Sequence, residues 1–114
     1  MDNHLPKKDI LRGRKNIDFV FHNGSKLSSK GITALWIKSI SRKVAFFVST
    51  KAGNSVTRNK IKRLLRESYR LNKDHFPLNV TVNFIVSGAL NNPTFTDIQS
   101  SIIDIAKKIS AKIE

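Results

Sequence analysis

At 114 residues, with a net charge of +13 and a pI near 10.6, the chain is long enough for one hydrophobic core and too short for two. Its charge points to a polyanionic partner such as nucleic acid. The lack of cysteine excludes a disulfide framework and a thiolate metal site. No stretch approaches the roughly 18 apolar residues of a membrane span, and Met1 to Leu11 has no apolar segment of signal-peptide length, so the expectation is a soluble, cytoplasmic protein with no membrane partner.

In chain order, residues 1–9 read as a basic, mobile lead to a single RNA-binding domain spanning 1–114. Asn16 is placed to cap a short helix that Gly24 ends, with Ile17, Val20 and Phe21 on one face. Ser25 to Gly31 is small and polar and reads as a loop. Ile32 to Lys38 and Lys43 to Thr50 have the β-branched and aromatic content of strands, and the short link Ser39-Ile40-Ser41 suggests a hairpin. Alternation in the second strand sets Val44, Phe46 and Val48 on one face and Ala45, Phe47 and Ser49 on the other.

The densest charge follows. Lys51 to Lys73 holds eight Lys or Arg against one acid, Glu67, and so carries net +7. Ile61, Leu64, Leu65, Ser68 and Asn72 recur at helical spacing as an inward stripe with Tyr69 at its edge. Lys62, Arg66, Asn59, Arg70 and Arg63 fall between about 100° and 200° from Ile61, which makes one outward ridge. A solvated helix face ordinarily mixes signs at i, i+4, whereas this one stacks like charges, and neutralisation then has to come from outside the helix. Gly53-Asn54-Ser55 supplies a turn and a cap before the first turn, where free amides suit a phosphate.

Asp74 to Pro77 breaks the helix, because the residue before a proline is pushed out of helical angles. Val80 to Val86 reads as a buried strand and Gly88 to Pro93 as a loop. Thr94 and Thr96 compete to cap a last helix, the latter with Gln99 as a capping-box partner. Ile98, Ile102, Ile105, Ile109 and Ile113 form that helix's stripe. Lys107, Lys108 and Lys112 lie near its C-terminus, where they complement the dipole. The order α-β-β-α-β-α specifies an α+β fold, a small mixed sheet packed with helices.

Chemistry-bearing constellations are missing. The three histidines are scattered without metal-ligand spacing, the acids form no close pair, and neither a nucleophile motif nor a phosphate-cradling glycine loop occurs. A binding protein is expected, with no catalytic or metal-ligating residue of its own.

Lys51-Ala52-Gly53-Asn54-Ser55-Val56 and the following Thr57-Arg58-Asn59-Lys60-Ile61-Lys62-Arg63-Leu64-Leu65-Arg66-Glu67 resemble the signature of the bacterial ribonuclease P protein subunit, whose helix carries Arg-Asn-Arg, any residue, Lys-Arg. Lys60 replaces the second Arg of that triplet, keeping the charge without the planar fork, and Thr50 stands where a Lys is common. The resemblance implies a left-handed β-α-β crossover at this helix. It also implies that the chain is the accessory subunit of a ribonucleoprotein endonuclease that matures the 5′ end of precursor tRNA, with the catalytic centre and the Mg²⁺ ions held mainly by RNA. The implied partners are the catalytic RNA and the precursor's single-stranded 5′ leader; no protein partner is implied.

The implied RNA-binding set is Lys51, Asn54, Arg58, Asn59, Lys60, Lys62, Arg63, Arg66 and Arg70. For the leader cleft, the family has two aromatics four apart in the first helix. Phe21 matches the second, while the first falls on Ile17. Trp36 matches the family's first-strand aromatic if one residue is inserted, and strand alternation adds Phe47. A general basic RNA-binding or ribosome-associated protein explains the charge equally well but predicts no effect on cleavage; a self-sufficient nuclease predicts cleavage without RNA.

Overall fold

The computed structural model describes residues 5–113. Its elements are α1 (Arg14–Asn23), β1 (Ser25–Ser29), β2 (Ile32–Lys38), β3 (Lys43–Val48), α2 (Ser55–Asn72), β4 (Val80–Val86) and α3 (Phe95–Ile113), with single 3-10 turns at Lys7–Asp9, Thr50–Ala52 and Lys73–His75. The four strands form one mixed sheet in the order β1-β2-β4-β3, so the α+β expectation holds with one strand added, as α-β-β-β-α-β-α.

The added strand is Ser25–Ser29, expected as a loop. Its residues have weak strand propensity, but it is an edge strand held by antiparallel pairing to β2, Ser29 opposite Ile32 and Ser25 opposite Trp36. The link is the two-residue turn Lys30-Gly31, with φ of 49° and 89°. Positive φ at both central positions matches the right-handed twist of a hairpin.

The second difference concerns β2 and β3, which do not pair as a hairpin. β4 lies between them, antiparallel to β2 and parallel to β3. Val80, Thr81, Val82, Asn83, Phe84 and Val86 are all buried, and a strand covered on both faces gains most from a central place. The link from β3 through α2 to β4 is thus a β-α-β crossover between neighbouring parallel strands.

Register sorts the side chains into two faces. Ile32, Ala34 and Trp36 of β2, Val44, Phe46 and Val48 of β3, and Val82, Phe84 and Val86 of β4 share the face covered by α2 and α3. Phe46 stacks on Phe84 at 5.8 Å, and Phe76 meets Tyr69 at 5.2 Å and Phe84 at 5.9 Å, which ties α2 to both strands. The opposite face carries Leu35, Ile37, Thr81, Asn83, Ala45 and Phe47, and α1 lies over it across β2 and β4.

Within residues 5–9, expected in a mobile lead, Leu5 and Asp9 are buried. Leu5 joins the core, Ile10 bridges the β3 edge at Val44, and the buried Asp9 takes an ion pair from Lys73 at 2.9 Å. A carboxylate this buried persists when a cation meets it. The part of that expectation covering residues 1–4 lies outside the described residues.

Helix ends also shift. α1 begins at Arg14 after Gly13, and Asn16 sits inside it, its amide donating to the Arg12 carbonyl at 2.9 Å. In α3, Thr94 is the cap. Its hydroxyl accepts from the Asp97 amide at 3.1 Å and the Asp97 carboxylate accepts from the Thr94 amide at 3.2 Å, a reciprocal box that leaves Thr96 and Gln99 out. Hydrogen bonding from the Thr94 side chain and from its backbone amide holds the Asp97 carboxyl below the usual carboxylate range.

Candidate nucleic-acid interface

α2 is built to present one face. Gly53 adopts φ 144°, where a Cβ would come within 2.9 Å of Thr57, so the chain turns sharply into the helix only with glycine here. Asn54 then caps it, its Oδ1 accepting from the Thr57 amide at 2.9 Å. Ile61, Leu65, Ser68 and Tyr69 are buried, while Leu64 and Asn72 are half-buried. The stripe is therefore turned toward Tyr69, which sits inside rather than at its edge and has its phenol pKa pushed up by burial. Leu64 moves to the flank.

The outward residues fall into two groups. Arg58 folds back so that its Nε donates to the Gly53 carbonyl at 3.2 Å, placing the guanidinium over the capped N-terminus. Lys51, Asn54, Asn59, Lys60, Arg63 and Arg66 are exposed and Lys62 is half-buried; none of these cations has an ion-pair partner among the described residues. Arg70, expected on the ridge, is different. Its Nε donates to Glu67 at 3.3 Å in a two-point ion pair, and that hydrogen bond holds the Glu67 carboxyl below its usual range. Lys73 is likewise engaged with Asp9. The acid of α2 is thus neutralised by Arg70, and the field of Lys60, Lys62, Arg63 and Arg66 is uncompensated among the described residues.

The leader-cleft candidates divide. Phe21 and Phe47 come together, ring centroids 5.2 Å apart and tilted by 59°, where α1 meets the sheet edge. Phe21 remains 39% exposed, so the pair is open to a ligand. Trp36 does not join them. It lies on the opposite sheet face, 8% exposed in the core among α2 and α3 side chains, because β2 runs in a register that sends Leu35, not Trp36, toward α1.

Sequence reasoning missed two neighbours of these surfaces. Phe19, one of the exposed aromatics, stands on α1 at 57% exposure. Asn83 is fully buried in the centre of the face under α1. Its amide donates to the Ile17 carbonyl at 3.4 Å and its Oδ1 has no partner among the described residues. An Asn in an otherwise apolar strand was the available signal.

Among the described residues no three His or acidic side chains converge. Asp9, Asp18, Glu67, Asp74 and Asp104 each face a Lys or Arg, and Asp97 is spent on a helix cap. No described helix is long and apolar enough to cross a membrane.

Comparison with known proteins adds a family. The ribonuclease P family model matches residues 5–110. The ribonuclease P protein component of Petrotoga mobilis is 32% identical over 111 residues, covering 92% of this chain and 94% of its own. That of Clostridium botulinum strain 657 is 36% identical over 106 residues, covering 90% and 95%. Among solved structures, the RNase P protein from Thermotoga maritima superposes with a TM-score of 0.78 at 25% identity, covering 88% of this chain and 96% of that one. The Staphylococcus aureus RNase P protein gives 0.75 at 25% identity, covering 90% and 94%.

Proposed function

The chain belongs to the ribonuclease P protein family, and on that premise we propose how its surfaces divide the work. It is the protein subunit of an endoribonuclease that matures tRNA 5′ ends, associated with an RNA subunit that carries the catalysis. In our reading the outer face of α2 is where that RNA docks. Arg58, Asn59, Lys60, Lys62, Arg63 and Arg66, with Lys51 and the Asn54-capped helix end, lie against its phosphates. The observation that carries this is the absence of compensating charge: the single acid of α2 is taken by Arg70, so the remaining cations gain most from phosphate.

The precursor's single-stranded leader then lies along the junction of α1 and the sheet. Phe21 and Phe47, already in ring contact and partly open, offer π-faces to unpaired bases. Because mature tRNA lacks the leader, such contact favours precursor over product. The Mg²⁺ ions of the hydrolysis are assigned to the RNA, consistent with a protein whose described acids are each engaged elsewhere. The complex is assigned to the cytoplasm.

The experiment is cleavage of precursor tRNA by a bacterial catalytic RNA at low Mg²⁺, with and without the protein. The expected result is a lower Mg²⁺ requirement, since the cations take over part of the counterion work. An unchanged Mg²⁺ dependence at saturating protein favours a general RNA-binding role instead.

A further inference from the structure

A concavity of about 660 Å³ lies between the N-terminal segment and the outer side of α2. Leu5, Ile10 and Leu64 supply its apolar lining. Lys62, Arg63 and Arg66 line it too, with Asn59 and Glu67. The groove exists because residues 5–10 are pinned beside β3 by the Asp9–Lys73 pair and the Ile10–Val44 bridge, and because α2 is turned so that Leu64 leaves the core for its flank.

A phosphate backbone alone explains the cations and leaves the apolar lining unexplained. Three aliphatic side chains beside three cations without an ion-pair partner among the described residues form a mixed surface, and its size is that of a small-molecule site. The ligand that has both an apolar flat face and an adjoining anion, and that the established partner carries, is a nucleotide whose base is out of the helical stack. The aliphatic side chains offer such a base an apolar floor, and Arg63 and Arg66 add guanidinium planes of the kind on which unpaired bases stack, with the phosphates held nearby.

We propose that this groove receives one unpaired nucleotide of the catalytic RNA, its base laid on Ile10, Leu5 and Leu64 and its flanking phosphates held by Lys62, Arg63 and Arg66. Asn59 and the ionised Glu67, whose carboxyl Arg70 holds below its usual range, are the groups on the rim that can hydrogen-bond the base edge. The inference rests on the family reading of α2 as the RNA-docking face and adds a point of register, since a single inserted base fixes where along the RNA the ridge sits.

The test measures affinity for a bacterial ribonuclease P RNA over a salt series. Ile10→Ser and Leu64→Ala are each expected to weaken binding about 10-fold at every salt concentration, in line with the loss of about two buried methylene groups of apolar contact, with the slope against log salt unchanged. Lys62→Gln is expected to lower that slope by about 0.7 to 0.9. A photo-crosslinking amino acid at position 10 gives a second readout that does not depend on side-chain truncation. Crosslinks confined to one unpaired nucleotide support the groove; crosslinks spread over paired regions, or wild-type affinity in both truncated variants with wild-type melting, overturn it. If the wild-type protein itself fails to bind the RNA, the docking reading fails with it, so the two failures are distinguishable.

Discussion

α2 and α3 lie against the same face of the sheet and bury matching aliphatic stripes, yet they treat charge in opposite ways. In α3, Lys108 pairs with Asp104 at 3.2 Å and reaches the Ser28 carbonyl at 3.3 Å, and Lys112 stands in the last turn where the dipole favours a cation. In α2, Lys60, Lys62, Arg63 and Arg66 meet no acid among the described residues, and the helix's one acid is bound to Arg70. The helices even touch through a polar link, Asn72 donating to Gln99 at 2.9 Å. Equal inner faces and unequal outer faces separate what holds the fold from what serves a partner: burial requires only the stripe, and nothing in folding calls for a ridge of unopposed cations.

The strongest way to break the comparison is at the shared inner face. Leu65→Asp and Ile102→Asp each place an unpaired charge at a fully buried position and are expected to cost roughly 3–5 kcal/mol. That is a large part of the 5–15 kcal/mol typical of a domain. Thermal or urea melts check it; a near-wild-type midpoint in either variant would remove that helix from the core. Leu64→Asp, on the half-buried flank, is expected to be milder than Leu65→Asp in the same assay.

At the outer faces the helices are expected to diverge. Replacing Arg58, Lys62, Arg63 and Arg66 by Gln should lower the slope of log affinity against log salt by about 3 to 4 and abolish stimulation of cleavage at low Mg²⁺, with folding intact. The Lys107, Lys108 and Lys112→Gln variant removes charge from α3, where Lys108 is paired with Asp104 and Lys112 stands in the last turn, and is expected to change the slope far less per charge. Equal slopes per charge would mean that binding follows net charge alone.

The smallest effect is the ion pair that ends the ridge. Glu67→Gln is expected to cost a few tenths of a kcal/mol, the range of an i, i+3 pair partly open to solvent. Because the folded state lowers the Glu67 pKa, its stabilisation is present in full above the ordinary value of 4.5 and is lost as pH falls through the folded value. Stability of wild type and variant, followed from pH 7 downward, is expected to converge in acid. A difference that persists below that window would show that Glu67 acts through packing.

The leader site teaches a related lesson about faces. Strand alternation alone put Phe47 opposite Phe46, and the ring contact with Phe21 agrees. Matching the family's first-strand aromatic with one inserted residue puts Trp36 in the same cleft, yet its register partner Val82 belongs to the core face. A one-residue change of register moves a side chain through the sheet, so chemical suitability for stacking says nothing about which side of the sheet holds it.

What the amino-acid order determined by itself were the features governed by neighbours along the chain. These include a helix cap at Asn54 or Ser55, the period of α2, the concentration of like charge on its outer side, the alternation in β3 and the family signature from Lys51 to Glu67. Tertiary structure decided what depends on contacts between distant segments. β4 separates β2 from β3 because a strand buried on both faces needs a neighbour on each side. The weak strand Ser25–Ser29 forms because β2 offers it a free edge. Residues 5–10 are held because Lys73 neutralises Asp9 and Val44 pairs with Ile10, 64 positions separating the ion-paired residues. The turn of α2 about its own axis, which buries Tyr69 and frees Leu64 for the groove, follows from the aromatic cluster of Phe46, Phe76 and Phe84 that receives Tyr69. Periodicity defines a stripe on a helix to within its width, and only the shape of the surface beneath selects which edge of that stripe goes in.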